Sequence, residues 1–250
     1  MATAKLGVCL DYFAQLREAG GEDTPELSDV ANELSKAGVH VLLAHLRPEK
    51  KPLTEKDIAD LKRQTKLSLQ LHLAPDPGLV PAAARLSPAV VVFSPEKSGE
   101  ETRGFEIQKN EVQKEVGKAI ESVKKKGVKV GLLLESNAVD IRLGKRLGAD
   151  LIELNARTYI KASSKARRQS ALEDLHIAGR LVRELELGLH VGHGLDCDHV
   201  AEVAQVYEVQ QINVGFALVA RSLFVGLPTA VEDILEAIRT GSENPLTLEA

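Results

Sequence analysis

Residues 67–73 read LSLQLHL, with leucine at every second position and Ser68, Gln70 and His72 between. Alternate side chains of a strand point to opposite faces, so the leucines share one side and the polar groups the other. Similar apolar runs punctuate the whole chain: LGVCLD (6–11), VHVLLAHL (39–46), AVVVFSP (89–95), VKVGLLLES (128–136), LIELN (151–155), GLHVGHG (188–194) and QINVGFA (211–217). They are short and mostly rich in Val, Ile and Leu, as buried parallel strands are.

Amphipathic stretches separate the runs. TPELSDVANELSKAG opens on Thr-Pro and stops at Gly38, which predicts a helix capped at both ends. TEKDIADLKRQ has Asp57 three positions after Thr54, close to a capping box. In KNEVQKEVGKAIESVKKKG, Val112, Val116, Ile120 and Val123 recur at spacings of three and four, and Lys124–Lys126 suit the negative end of the helix dipole. AVDIRLGKRLGA, SKARRQSALEDLHIAGRLVRELE, DHVAEVAQVY (with Asp198 as its cap), TAVEDILEAIRTG and the short PAAARL complete the set.

Eight strand–helix units in 250 residues have the size and rhythm of an α/β (β/α)8 barrel, the TIM barrel. A doubly wound open sheet would show fewer strands and a glycine fingerprint after the first, where this chain reads DYFAQLREAGG. No linker divides the chain. One barrel domain is expected over 1–241, followed by a loose tail over 242–250.

Composition narrows the function. A formal net charge of −4, 3% aromatic residues and no tryptophan argue against a nucleic-acid surface or a base-stacking platform. Cys9 and Cys197 stand far apart and outside any CxxC pattern, which fits a reducing cytoplasm. No secretion signal and no stretch approaching the roughly 18 apolar residues of a membrane span is visible, so a cytoplasmic protein without membrane contact is expected.

In such a barrel the chemistry gathers at the C-terminal ends of the strands. The first strand ends in Asp11 and the second in His45, followed by Arg47. The third carries Gln70 and His72, the sixth Glu153 and Asn155, the seventh ends in His193-Gly194, and the eighth in Asn213 and Gly215. Gly192, Gly194 and Gly215 let backbone N–H groups approach a phosphate where this fold commonly holds one, after strands seven and eight. A metal site is the competing reading of HVGHGLDCDH, with His190, His193, Asp196, Cys197, Asp198 and His199 as possible ligands. Yet His190 and His193 are an odd number apart and should face opposite sides of a strand. No GxSxG elbow supports a serine hydrolase.

LGVCLDYFAQLREAGG, VLLAHLRPEKKPLTEKDI, SPEKSGEETRGFEI, LGADLIELNARTY, GHGLDCDHV and INVGFALVARSLFVGL resemble the consecutive motifs of the pyridoxine 5′-phosphate synthase family, from residue 6 to about 240. The resemblance implies a barrel assembled as a homo-octamer of dimers and needing no metal or organic cofactor. It implies condensation of 1-deoxy-D-xylulose 5-phosphate with 3-amino-2-oxopropyl phosphate to pyridoxine 5′-phosphate, a transferase step of vitamin B6 biosynthesis. By the same resemblance His45 is an acid/base, Arg47 holds the xylulose phosphate, and Asp11 and Thr102 contact substrate. Glu153 stabilises charged intermediates, His193 donates a proton, and Gly194 and Gly215 bind phosphate. Departures cluster in the site: Cys9 stands for an asparagine, Tyr12, Pro52 and Phe216 for histidines, Gly20 for an arginine, and Gln70 for the catalytic glutamate. The strand-seven motif is also two residues shorter before GHG. An amide cannot serve as a base, so His72, on the face of Gln70, is the candidate replacement. The alternatives are a diverged barrel enzyme acting on a related phosphorylated ketose or amino-ketone, and a non-catalytic phosphometabolite-binding homologue.

Overall fold

The computed structural model describes residues 3–21, 23–49, 51–95, 103–206 and 208–244. Eight parallel strands close into a barrel in sequence order: β1 (Lys5–Cys9), β2 (Val41–His45), β3 (Ser68–Leu73), β4 (Val90–Phe93), β5 (Lys129–Leu134), β6 (Leu151–Asn155), β7 (Gly188–Gly192) and β8 (Gln211–Val214). The first and last strands pair over Lys5–Val8 and Gln211–Val214, so the sheet has no free edge. Every apolar run of the sequence became a strand.

The helices are α1 (Asp11–Gly20), α2 (Leu27–Lys36), α3 (Glu55–Gln64), α4 (Val80–Leu86), α5 (Asn110–Lys124), α6 (Ala138–Leu147), α7 (Arg157–Ile160), α8 (Lys165–Glu184), α9 (Cys197–Val203), α10 (Phe216–Val225) and α11 (Leu227–Glu243). Among the described residues, eight of them form the outer ring. The other three, α1, α7 and α10, each begin two residues after β1, β6 or β8 ends, so their N-termini rim the mouth of the barrel.

Local chemistry explains several boundaries. Thr54 and Asp57 make a full capping box at α3, a cap worth about 1 kcal/mol. α2 begins at Leu27 with Glu26 as its cap, later than the Thr-Pro pair implies. Asp196, rather than Asp198, caps α9: its Oδ1 accepts from the N–H groups of Asp198 and His199 at 3.0 and 3.1 Å. Lys124 ends α5 and donates to Gly148 O and Asp150 Oδ1, tying the helix end to the start of β6. α11 runs to Glu243, past the expected domain boundary at 241, and residues 245–250 of the expected tail lie outside the described residues.

Two kinds of core follow from strand alternation. Leu69, Leu71 and Leu73 of β3 point outward into the large apolar layer between barrel and helices. The inward positions differ. Cys9, Val41 and Leu43 make one small apolar cluster, and Val92, Leu133 and Leu151 another. The remaining interior is polar: Gln70, His72, Glu153, His190, Gln211 and Asn213 are all buried. Barrel interiors are ordinarily packed with branched apolar side chains, so six buried polar groups need mutual hydrogen bonds to be tolerated.

Candidate active site

Two polar clusters meet at the barrel mouth. The first lies on β1 and β2. Asp11 starts α1, and its carboxylate turns back across the strand ends: Oδ1 accepts from the His45 backbone N–H at 3.0 Å and Oδ2 from Arg47 Nη1 at 2.5 Å. His45 Nδ1 lies 3.1 Å from the same Oδ2. Burial opposes ionisation of Asp11, but attraction to His45 and Arg47 outweighs it and holds the carboxyl far below the usual range. Burial likewise disfavours a charged His45, but Asp11 wins and raises the imidazole well above its ordinary value. Cys9 Sγ approaches His45 Nδ1 at 3.8 Å. Burial and the Asp11 charge raise the thiol, so Cys9 is not an activated nucleophile.

The second cluster fills the centre. Glu153 Oε2 accepts from Gln70 Nε2 at 3.0 Å and Asn213 Nδ2 at 2.9 Å, with His72 Nε2 3.6 Å away. Glu153 Oε1 lies 3.1 Å from His193 Nε2. Burial opposes the Glu153 charge, but His72, His193 and His190 reverse the balance and keep it ionised well below the normal carboxylate range. Gly192 packs tightly beside it: a Cβ there would sit 3.0 Å from Glu153 Oε1 and 3.0 Å from Asn213 Cβ. The clusters join through imidazoles: the His45 and His72 rings are 4.8 Å apart and those of His72 and His193 6.2 Å. Three histidines and two carboxylates thus form one continuous belt, suited to moving several protons within one reaction.

His193 is placed by its backbone. Its φ of 72° is left-handed, uncommon for a side chain with a Cβ and typical of constrained functional positions. β7 has ended at Gly192, so strand parity no longer applies: His190 and His193 both reach Glu153 from inside the barrel, contrary to the opposite-face expectation. His190 lies one layer deeper, where burial pushes it down to about 4 despite Glu153.

The glycines expected to bind phosphate follow β7 and β8. Gly194 has φ 90°, and Gly215 caps α10, whose first N–H groups have no partner within the helix. A Cβ at residue 215 would lie 2.6 Å from Tyr12 Cε2. Tyr12 also stacks edge-on against Phe216 with centroids 5.7 Å apart, and Phe216 is exposed.

Several expectations change. Ser68, Gln70 and His72 share the inward face but not one site: Ser68 lies at the opposite, N-terminal opening, where a cavity of about 1150 Å³ is lined by Lys5, Lys129, His190 and Gln211. That cavity is large, but the histidine belt is at the other end, and chemistry follows the reactive groups. Gln70 sits a layer below the belt, whereas His72 pairs in register with His45. His72 therefore holds the strand-three place at the mouth. Gly20 ends α1 with open space around its Cβ position, and Pro52 is half-buried before α3. Thr102 lies outside the described residues. The His190–His199 run does not gather as a metal site: His199 Nδ1 pairs locally with Asp196, while His190 turns into the barrel. Among the described residues, two trios of donor atoms lie within 4.8 Å of one another, Cys9–Asp11–His45 and His72–Glu153–His193. Both Asp11 oxygens are already bonded to protein donors, and Glu153 Oε2 accepts from two amides.

Sequence reading missed Glu135, whose Oε1 accepts from Asn155 Nδ2 at 2.9 Å and Gly104 N at 2.8 Å. The signal was its position just past β5. It helps line a cleft of about 890 Å³ beside the mouth, with Arg103, Asn155 and Arg157. Gln211 was also missed, although it lies two residues before Asn213 and so shares its face.

Comparison with known proteins follows the same line. The family model for "pyridoxal phosphate biosynthesis protein PdxJ" matches residues 6–240. A pyridoxine 5′-phosphate synthase of Elusimicrobium minutum is 34% identical over 239 residues, covering 95% of this chain and 98% of that protein. Its namesake in Geobacter sp. strain M21 is 30% identical over 94% of this chain and 99% of its own length. Among solved structures, a 4-hydroxy-2-oxoglutarate aldolase/2-deydro-3-deoxyphosphogluconate aldolase from TTHB1 superposes with a TM-score of 0.64 at 15% identity, over 94% of this chain and 95% of that one. That likeness concerns the barrel alone.

Proposed function

This chain belongs to the pyridoxal phosphate biosynthesis protein PdxJ family, and from that premise we propose that it forms pyridoxine 5′-phosphate, condensing 1-deoxy-D-xylulose 5-phosphate with 3-amino-2-oxopropyl phosphate and releasing phosphate and water. The observation that carries the reading is the belt of His45, His72, Glu153 and His193 across one layer of the mouth. Imine formation, dehydration and ring closure each move protons, and a belt with a raised imidazole beside a permanently charged carboxylate supplies both donors and acceptors. His45, held protonated by Asp11, is the acid of the first condensation. His72 takes the base role at strand three, and His193 returns a proton to the leaving oxygen. Glu153 balances positive charge as it develops. Arg47 holds one phosphate, and the N–H groups at Gly194, Gly215 and Phe216 hold the other.

A specific feature favours a second reading. Cys9 and the Tyr12–Phe216 pair make one wall of the mouth less polar than asparagine and histidines would, which suits a related phosphorylated ketose or amino-ketone with less hydroxylation. Self-association belongs to the proposal too: Phe216, Leu223 and Phe224 of α10 are 66, 73 and 88% exposed, an apolar face that a second copy would cover. No helix among the described residues is long and apolar enough to cross a membrane.

The test mixes purified protein with the two substrates and follows product by absorbance and mass spectrometry. Pyridoxine 5′-phosphate is expected. Its absence at high enzyme concentration, with turnover of a related ketose phosphate, would transfer the assignment to the second reading. Thermal stabilisation by these ligands without any turnover would leave only a binding protein.

A further inference from the structure

We propose that Gln70 is a positioning residue that fixes which nitrogen of His72 carries the proton. The inference deepens the proposed function and rests on it for the role of His72 in turnover, but its structural content stands on hydrogen-bond logic alone.

Glu153 is buried, and its Oε2, where two amide side chains meet, serves as the acceptor for both. Gln70 and Asn213 each contact Oε2, at 3.0 and 2.9 Å, and each must therefore turn its NH2 group toward the carboxylate. Their carbonyl oxygens then face Gln211, whose Nε2 donates to Gln70 Oε1 at 3.0 Å and to Asn213 Oδ1 at 2.8 Å. The result is a closed ring, Glu153–Gln70–Gln211–Asn213. Flipping any one of the three amides would set like groups against each other at two of its contacts. The carboxylate thus determines every amide orientation in the ring, a conclusion independent of how amide oxygen and nitrogen are told apart.

One hydrogen of the Gln70 amide goes to Glu153, and the second points at His72 Nε2, 2.9 Å away. Nε2 must then be the acceptor. Neutral His72 accordingly carries its proton on Nδ1 and holds its basic lone pair at Nε2, beneath the Gln70 N–H. A proton arriving at Nε2 would confront that N–H, and the Glu153 oxygen at 3.6 Å is too distant to take it without rearrangement. Gln70 therefore makes proton uptake at Nε2 depend on the amide giving way toward Glu153. Among the described residues, the charged or titratable groups that face His72 include His45 from β2, Glu153 from β6 and His193 after β7; its β4 partner, Val92, carries no charge. A glutamate at position 70 would invert the arrangement, accepting from Nε2 and favouring the protonated ring.

The experiment is long-range ¹H–¹⁵N correlation of the histidine side chains in the full-length protein, with His72 identified by the loss of its signals in His72→Asn. In the native protein a pyridine-like Nε2 and a pyrrole-like Nδ1 are expected near neutral pH. In Gln70→Glu, Nε2 should become pyrrole-like, and the ring should stay protonated to higher pH. Gln70→Met, which removes the donor but keeps the shape, should give an averaged pair of tautomers. A pyrrole-like or averaged Nε2 in the native protein overturns the inference without any variant. So does an unchanged His72 spectrum in folded Gln70→Glu. Because these readings need no substrate, a native spectrum as expected in a protein that makes no pyridoxine 5′-phosphate would sink the functional proposal and leave this one intact.

Discussion

Replacing Glu153 by alanine removes the acceptor on which two buried amides and a histidine converge. Gln70 and Asn213 would each keep an N–H pointing into a space that offers no oxygen. An orphaned buried donor costs roughly 1–3 kcal/mol, so the pair amounts to about 2–6 kcal/mol. Set against a typical total of about 5–15 kcal/mol, that is a large loss. Glu153→Gln is the informative contrast. Its carbonyl oxygen can still accept from both amides, and only the charge reinforcement of the two bonds disappears, about 2 kcal/mol in all. Urea unfolding followed by far-ultraviolet circular dichroism reads both variants; the chain has no tryptophan for fluorescence. The expected order of midpoints is native, then Glu153→Gln, then Glu153→Ala. The pH dependence has a definite sign. The folded carboxyl titrates below its unfolded value, so its contribution is complete above the unfolded value, about 4.3, and fades as pH falls toward the folded one. The gap between native and Glu153→Gln should therefore narrow on acidification below about pH 4. An alanine variant within about 1 kcal/mol of native, or a gap that widens in acid, would refute the reasoning.

Other outcomes follow from the same geometry. Asp11→Asn should lower the His45 titration in an NMR pH series, because the carboxylate is what raises it; an unshifted His45 would mean that Asp11 does not govern it. Native His45 contributes stability below its unfolded value, about 6.5, which is lost as pH rises through the raised folded value, and Asp11→Asn should flatten that loss. Gly215→Ala places a methyl 2.6 Å from the Tyr12 ring, so KM for phosphorylated substrates should rise several-fold, and a second change, Tyr12→Ala, should recover part of it. Thr54→Ala removes the α3 cap and should cost about 0.5–2 kcal/mol in urea with no change in turnover, since the residue touches nothing at the mouth.

The strand and helix pattern was legible because it depends on short-range rules. Inward and outward alternation, the Thr54–Asp57 box and the Val112–Val123 stripe are each decided within a few residues. The resemblance to pyridoxine 5′-phosphate synthases likewise rests on local motifs, and the family match over residues 6–240 agrees with it. Asp11, His45, Glu153 and His193 were readable as strand-end chemistry, and they do meet. The cap of α9 falls two residues before Asp198 because both aspartates are good cap residues, and only the backbone path chose Asp196.

What the linear chain determined was which side chains would stand at the mouth of a barrel. What tertiary structure decided was depth and partnership. Gln70 and His72 share a face in LSLQLHL, yet barrel closure puts Gln70 one layer down, within reach of Gln211 and Glu153, and leaves His72 beside His45. His193 enters the same site only because its backbone turns left-handed after Gly192. Sequence spacing sets the direction of a side chain along its own strand. The donor or acceptor that it meets comes from strands 60 to 141 residues away in the chain, and closing the sheet is what brings them together.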